Sequence, residues 1–374
     1  MNTSITPTYT ENELKQIVQN FFIELQNASS GKTHHIPFLI HNLPQKRILP
    51  ENSTFQVMVI GGTVFKSAII NKSGTNLTII SQNESQIPNF INDEVFLSFV
   101  YSHLDPLVNF LSINFAFPLS PIVTHELLDG VLIQGTKEHT FFNLVGKPIG
   151  KTIEKYVLSN HHKSINVTVA NDTICLLLAH LEKNTWNNTI GGIIGTGTNY
   201  SLTLDNNKLV NLESGNFDNF PQTETGKIID AQSINPKKAL FEKEISGAYL
   251  FKHFNIICNN KNLLLTPLSD SSQLSEIAKN KSGILKNIAI NLLQRSASLA
   301  ACQIAGIVLF KKTLGIERIT LIMEGNLFWK GYRYKTMLEH YLKLLNVYDS
   351  IQFSPIRHSS IQGAIRLLLS IDFM

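Results

Sequence analysis

Apolar and polar positions change period along the chain, and the changes mark out its elements. Near the start, Leu14, Ile17, Val18, Phe21, Phe22 and Leu25 recur at three- and four-residue spacing, which predicts one buried face of a helix. Thr10-Glu11-Asn12-Glu13, just ahead of them, reads as a capping box. Residues 29–52, with prolines at 37, 44 and 50, read as loop. The period then shortens. Residues 55–60, 64–70 and 77–80 are Val/Ile-rich runs that predict strands, with a turn at Ser73-Gly74-Thr75-Asn76. A short apolar run at 113–117 stops at Pro118, and Ile149, Ile153, Tyr156 and Val157 return to helical spacing. Residues 165–169 alternate as a strand and run into Asn171-Asp172-Thr173. Helical patterns at 284–310, 331–345 and 360–371 dominate the last third.

One arrangement occurs three times. "VMVIGGTVFKSAII" is a strand, a turn at Gly61-Gly62-Thr63 and a strand; "GGIIGTGTNYSLTL" repeats it around Gly195-Thr196-Gly197; "ITLIMEGNLF" is a weaker version ending at Glu324-Gly325-Asn326. The spacing is too wide for a solenoid repeat and suggests two related halves, so the class is α/β with two lobes. Glycine turns leave backbone N–H groups bare, and two of them across a cleft would suit a polyphosphate. A tight hairpin accounts for any single turn equally well. Neither the P-loop spacing nor the dinucleotide fingerprint is present. Asp172 follows an alternating strand, where a carboxylate could take a proton from a substrate hydroxyl. Asn171 or Asp172 could instead cap a helix over 173–180. Thr136, Lys137, Asn199, Glu213 and Glu242 are polar residues in apolar or glycine-containing surroundings, each by itself readable as a surface or turn residue.

Composition narrows the classes. The 374 residues are 43% hydrophobic and 16% charged, with a net charge of +4 spread along the chain. No basic run with interleaved aromatics supports nucleic-acid binding. Cys175, Cys258 and Cys302 have no metal-like spacing and read as buried thiols in a reducing compartment. The N-terminal stretch lacks the pattern of a secretion signal, so a cytoplasmic location is expected. The most apolar window, 297–310, contains Gln303 and is followed by Lys311-Lys312; it reads as a buried helix rather than a membrane span.

Taken together and in order, these segments resemble the hexokinase/glucokinase family of the actin-like ATPase superfamily over nearly the whole chain. "FQVMVIGGTVFKSAII" is similar to the family's first phosphate motif and "GGIIGTGTNYSL" to its second. "FAFPLS", "GTKEHTF", "NLESGNF" and "NPKKALFEKEISGAYL" resemble its sugar-contacting segments, and "VTVANDTI" its catalytic one. "RSASLAACQIAGI", "LIMEGNLF" and "SSIQGAIRLLL" look like its large-lobe helix, adenosine motif and closing helix. The resemblance implies a two-lobed ribonuclease H-like/actin-like ATPase fold with a central cleft. The small lobe would hold residues 54–171 and 358–374, the large lobe 1–53 and 172–357.

The resemblance also implies roles. Asp172 would be the general base on a hexose 6-hydroxyl, and Thr136, Lys137, Asn171, Asn199, Glu213 and Glu242 would bind the other sugar hydroxyls. Gly61, Gly62, Thr63, Lys66, Gly195, Thr196, Gly197, Gly325, Asn326 and Ser360 would contact ATP, used with Mg²⁺. Glucose is the first candidate substrate; mannose, fructose and amino sugars are alternatives. The chain departs from the family where Val59 replaces the Asp that helps hold Mg²⁺. Val64 stands in place of Asn, Lys66 of Arg, Ala116 of Ser and Glu324 of Asp. Those departures keep open a second reading, a weak or inactive hexokinase-like sugar binder.

Overall fold

The computed structural model describes residues 9–42, 49–50, 52–124, 126–135, 139–180, 186–205, 208–263, 266–356 and 358–369. Its strands are β1 (Leu39–Asn42), β2 (Ser53–Ile60), β3 (Val64–Ser73), β4 (Asn76–Gln86), β5 (Phe110–Phe115), β6 (Leu119–Thr124), β7 (Leu127–Leu132), β8 (Asn166–Asn171), β9 (Thr189–Ile194), β10 (Thr198–Asp205), β11 (Lys208–Asn211), β12 (Ile319–Glu324) and β13 (Ile351–Phe353). Its helices are α1 (Glu11–Ser29), α2 (Asp93–Ser102), α3 (Ile149–His161), α4 (Asp172–Ala179), α5 (Glu224–Ala231), α6 (Leu240–Ile245), α7 (Gly247–Asn260), α8 (Ser271–Asn280), α9 (Gly283–Thr313), α10 (Asn326–Lys330), α11 (Tyr334–Leu344) and α12 (Ser359–Leu368). The stretch expected to be loop, 29–52, contains β1, which pairs with β11.

Packing divides the chain into two bodies. The first comprises Leu39–Gly191, Ser201–Asn211 and Pro355–Met374. Its main sheet has the order β4-β3-β2-β5-β8. β2 and β3 form an antiparallel hairpin, while β5 runs parallel to both β2 and β8. Both faces of β2 are covered, which explains the apolar run Val57–Ile60 at its end. Met58 and Ile60 join a cluster with Phe96, Ile153 and Val157. Phe55, Val57 and Val59 join another with Ile361, Ala364 and Ile365 of α12. α3 follows Pro148, which supplies no side-chain cap; buried Asp129 accepts from Gly150 N at 2.8 Å and Lys151 N at 3.0 Å instead.

The second body comprises Met1–Phe38, Gly192–Tyr200 and Leu212–Ser354. β9 lies beside β12, and β12 pairs in parallel with β13. α9 is its central helix, in contact with α1, α6, α7, α8 and α11. It is long and apolar enough to cross a membrane, but 89% of its most apolar window is buried inside the protein. The expected capping box at α1 is present: Glu13 N donates to Thr10 Oγ1, and Thr10 N to Glu13 Oε2.

Candidate active site

In the first body, β8 delivers its last residue directly into α4. Asn171 keeps an extended backbone, and its Oδ1 accepts from Thr173 N at 3.0 Å and from Thr173 Oγ1 at 2.6 Å. Its Nδ2 lies 3.4 Å from the Phe117 carbonyl oxygen. Asn171 is therefore the N-cap. Asp172 is the first helical residue, half-buried, with Oδ1 2.9 Å from Thr173 N. Its carboxylate lies at the positive end of the helix, where a negative charge is stabilised.

The Gly61-Gly62-Thr63 turn joins β2 to β3 in the same body. Gly61 N donates to Val64 O at 2.9 Å, and a Cβ on Gly61 would lie 2.8 Å from that oxygen. Gly61 is required by this close approach, not by a left-handed backbone. Lys66 pairs with Glu84 on β4 at 3.4 Å. Asn114 Nδ2 donates to the carbonyl of Ser360, in the first turn of α12, at 3.1 Å. Thr136 and Lys137 lie outside the described residues.

In the second body, three of the expected sugar-contacting residues come together. Glu242 Oε2 accepts from Thr198 N at 2.9 Å, and Asn199 Oδ1 accepts from Ser214 N at 3.2 Å. Glu213, just before Ser214, has φ 45° and opens a 3-10 turn. Asn199, Glu213 and Glu242 are all half-buried. The glycine turn that precedes them is equally close-packed. Gly247 N donates to Gly195 O at 2.8 Å and Ala248 N to Thr196 O at 3.0 Å. Gly197 O accepts from Gly195 N at 2.9 Å. Gly325, at φ 109°, brings its Cα within 3.3 Å of where a Gly195 Cβ would be. Asn326 follows, exposed, as the first residue of α10. Glycine is needed at 325 for both backbone angle and space, since a side chain there would overlap the Ile194 carbonyl.

Beside Glu242 lies a buried network that sequence patterning did not single out. Arg295 Nη2 on α9 meets Glu244 Oε2 at 3.0 Å, both fully buried. Glu244 also accepts from Thr223 N at 2.8 Å. His253 Nδ1 faces Thr225 Oγ1 at 2.7 Å and Arg295 Nη2 at 3.3 Å, while Nε2 faces the Lys243 carbonyl at 2.8 Å. The only pattern consistent with those partners is an Nε2–H tautomer. Burial, reinforced by the Arg295 charge, pushes His253 down to about 3. The unfolded chain therefore binds one more proton between its ordinary value, roughly 6.5, and 3. The stability that His253 contributes is present above that window and is lost as pH falls through it. Urea midpoints should drop between pH 6.5 and 4, with a shallower drop in His253→Gln; equal slopes would contradict a neutral buried imidazole.

Comparison with known proteins identifies the architecture. One hexokinase family model matches residues 5–181, and a second matches 189–261 and 252–369. The chain belongs to the hexokinase family. Hexokinase-1 of Saccharomyces cerevisiae is 24% identical over 301 residues, 70% of this chain and 61% of that protein. Hexokinase-9 of Oryza sativa is 29% identical over 236 residues, 54% of this chain and 46% of the relative. The chain thus spans about half to three-fifths of the length of those relatives. Hexokinase-2 of Solanum tuberosum aligns more broadly, at 24% identity over 89% of this chain and 82% of its own. Among solved structures, a hexokinase from Schistosoma mansoni complexed with glucose has TM-score 0.73 at 18% identity, covering 96% of this chain and 94% of that one. A glucokinase of the ROK family from Streptomyces griseus, in complex with glucose and AMPPNP, has TM-score 0.57 at 14% identity, covering 84% of this chain and 98% of that one. These structures establish the shared mixed α/β, actin-like ATPase fold.

Gly195, Gly247 and Gly325 are held to glycine by backbone packed on backbone: a Cβ on Gly195 would meet the Gly325 Cα, one on Gly247 the Gly195 carbonyl, and one on Gly325 the Ile194 carbonyl. Val59 gives no metal ligand: its side chain is 9% exposed and packs among Leu127, Ile361 and Ile365. Among the described residues no group of three His, Cys, Asp or Glu side chains could hold a metal ion. Beside the Gly61–Thr63 turn, position 59 therefore offers no carboxylate to hold Mg²⁺.

Proposed function

We propose that this hexokinase-family chain transfers the γ-phosphoryl group of ATP to the 6-hydroxyl of a hexose, with glucose the first substrate. The observation that carries this reading is the convergence of Asn199, Glu213 and Glu242 in the second body. A neutral sugar covered in hydroxyls needs fixed donors and acceptors, and leaving them unpaired is what rejects the wrong sugar. The glucose held by the Schistosoma mansoni and Streptomyces griseus proteins supports that choice of substrate. Asp172 takes the 6-hydroxyl proton as the new O–P bond forms and the bond from the γ-phosphorus to ADP breaks. Asn171 already caps α4, so the helix start does not depend on the Asp172 side chain. Asn171, Thr136 and Lys137 are assigned to the remaining sugar hydroxyls. The turns at Gly61–Thr63 and Gly195–Gly197, with Lys66, Gly325, Asn326 and Ser360, are assigned to the nucleotide. An ATP-coupled assay across glucose, mannose, fructose and glucosamine tests the proposal; it predicts turnover with glucose above the others, and no turnover with any hexose would refute it.

Val59 favours a second reading, a sugar-binding protein with little or no phosphoryl transfer. Its packing yields a prediction in its own right. Val59→Asp would place a carboxylate in the apolar cluster against α12, a change that costs several kcal/mol unless the charge is neutralised or paired. Thermal unfolding without nucleotide should show a lowered Tm. An unchanged Tm together with a rise in kinase activity would show instead that the position accepts a metal-holding carboxylate.

A further inference from the structure

His139 takes no part in the chemistry just proposed, yet its side chain is buried and polar contacts occupy both ring nitrogens. Phe90 N donates to Nδ1 at 3.0 Å. A backbone amide can only donate, so Nδ1 carries no proton. The neutral ring then holds its proton on Nε2, which lies 3.3 Å from the carbonyl oxygen of Gly62. The ring is held among Phe90, Phe117 and Phe141, with centroid distances of 5.3, 5.1 and 5.8 Å. A directed hydrogen-bond path therefore runs through an aromatic cage and ends on the second glycine of the first phosphate turn.

The carbonyl of Gly62 and the N–H of Thr63 belong to one planar peptide unit, and in a trans peptide they point in opposite directions. Fixing the carbonyl fixes the N–H. A peptide that follows glycine is the one most free to flip, because Gly62 has no Cβ to restrict it. We propose that His139 is a positioning residue for the nucleotide: by holding the Gly62 carbonyl it keeps the exposed Thr63 peptide turned so that its N–H faces a phosphate oxygen. The ring does not touch the nucleotide. This inference rests on the reading of Gly61–Thr63 as a phosphate turn.

Three substitutions separate the two ends of the path. His139→Phe keeps a ring in the cage and removes both polar atoms. His139→Asn retains an acceptor at the Nδ1 position and loses the donor to Gly62. His139→Gln can place an N–H donor at the Nε2 position. AMPPNP affinity by calorimetry should fall about three- to tenfold in the Phe and Asn variants, the loss of one hydrogen bond's worth of orientation. The Gln variant should recover most of it, and glucose affinity should not follow the same order. In ¹⁵N-labelled wild-type protein, His139 should be the Nε2–H tautomer, and AMPPNP should shift the Thr63 amide. An Nδ1–H tautomer, or Phe and Asn variants that bind AMPPNP as tightly as wild type, would overturn the role of His139 while leaving the kinase reading intact. Wild-type protein that binds no AMPPNP would refute the kinase reading and the phosphate turn together. If the Phe variant fails to fold, the Asn and Gln pair still decides the question.

Discussion

Asp172→Asn is expected to lower kcat for glucose phosphorylation by about 100- to 10,000-fold, the range for losing a positioned general base. The substitution is nearly isosteric, and an Asn at the first position of α4 can still accept from Thr173 N. Asn171 remains as N-cap, so the start of the helix is preserved. The loss should therefore fall on kcat, with glucose KM and Tm close to wild type. That split matters because Asp172 could serve the fold instead. A carboxylate at a helix N-terminus is worth about 0.3–1 kcal/mol. If its purpose were structural, Asp172→Asn would lower Tm modestly and leave kcat alone. Steady-state kinetics beside thermal unfolding distinguishes the two, and an unaltered kcat would remove Asp172 from the mechanism.

The largest stability effect is expected at Arg295. Arg295→Met leaves Glu244 buried without its cation, and breaking a buried ion pair from one side costs about 3–5 kcal/mol. That is a large share of the roughly 5–15 kcal/mol by which folded domains are stable. The double substitution Arg295→Met with Glu244→Gln should recover part of the loss, because the uncompensated charge is gone. Strict additivity in urea denaturation would show that the two groups do not interact. α6 carries Glu242 as well as Glu244, so the single variant should also bind glucose more weakly than the double.

Local patterning revealed much of this fold. The 3.6-residue spacing in α1, the turn at Ser73–Asn76 and the alternation leading into β8 are short-range signals, and each element lies where they place it, within a few residues. β4 is longer than expected, running to Gln86 through polar, exposed residues that pairing with β3 holds extended. β1 was not visible in a proline-marked stretch, since its order comes from pairing with β11, far along the chain.

The site was partly legible for the same reason. Glycine turns and the Asn-Asp pair stand out locally, and the alternative that Asn171 caps a helix proves correct for that side chain. What was hidden depends on distant partners. Nothing around Val59 reveals that α12, about 300 residues later, covers it. His139 looks like a surface residue between Glu138 and Thr140 until Phe90, Phe117 and Gly62 are brought around it. Arg295 and Glu244 sit in helical patterns whose charged positions would ordinarily be solvated. Gly61 is held to glycine by a close approach to the Val64 carbonyl, and Gly325 by both backbone angle and space, which depend on neighbours the local sequence does not show.

The most direct test follows phosphorus itself. Wild-type protein is incubated with ATP, Mg²⁺ and glucose, and ³¹P NMR tracks the products. The account predicts a growing hexose 6-phosphate resonance matched one for one by ADP, absent when glucose is omitted. An unchanged ATP spectrum from protein that calorimetry shows to be loaded with glucose would contradict it, and would leave a sugar binder in place of a kinase.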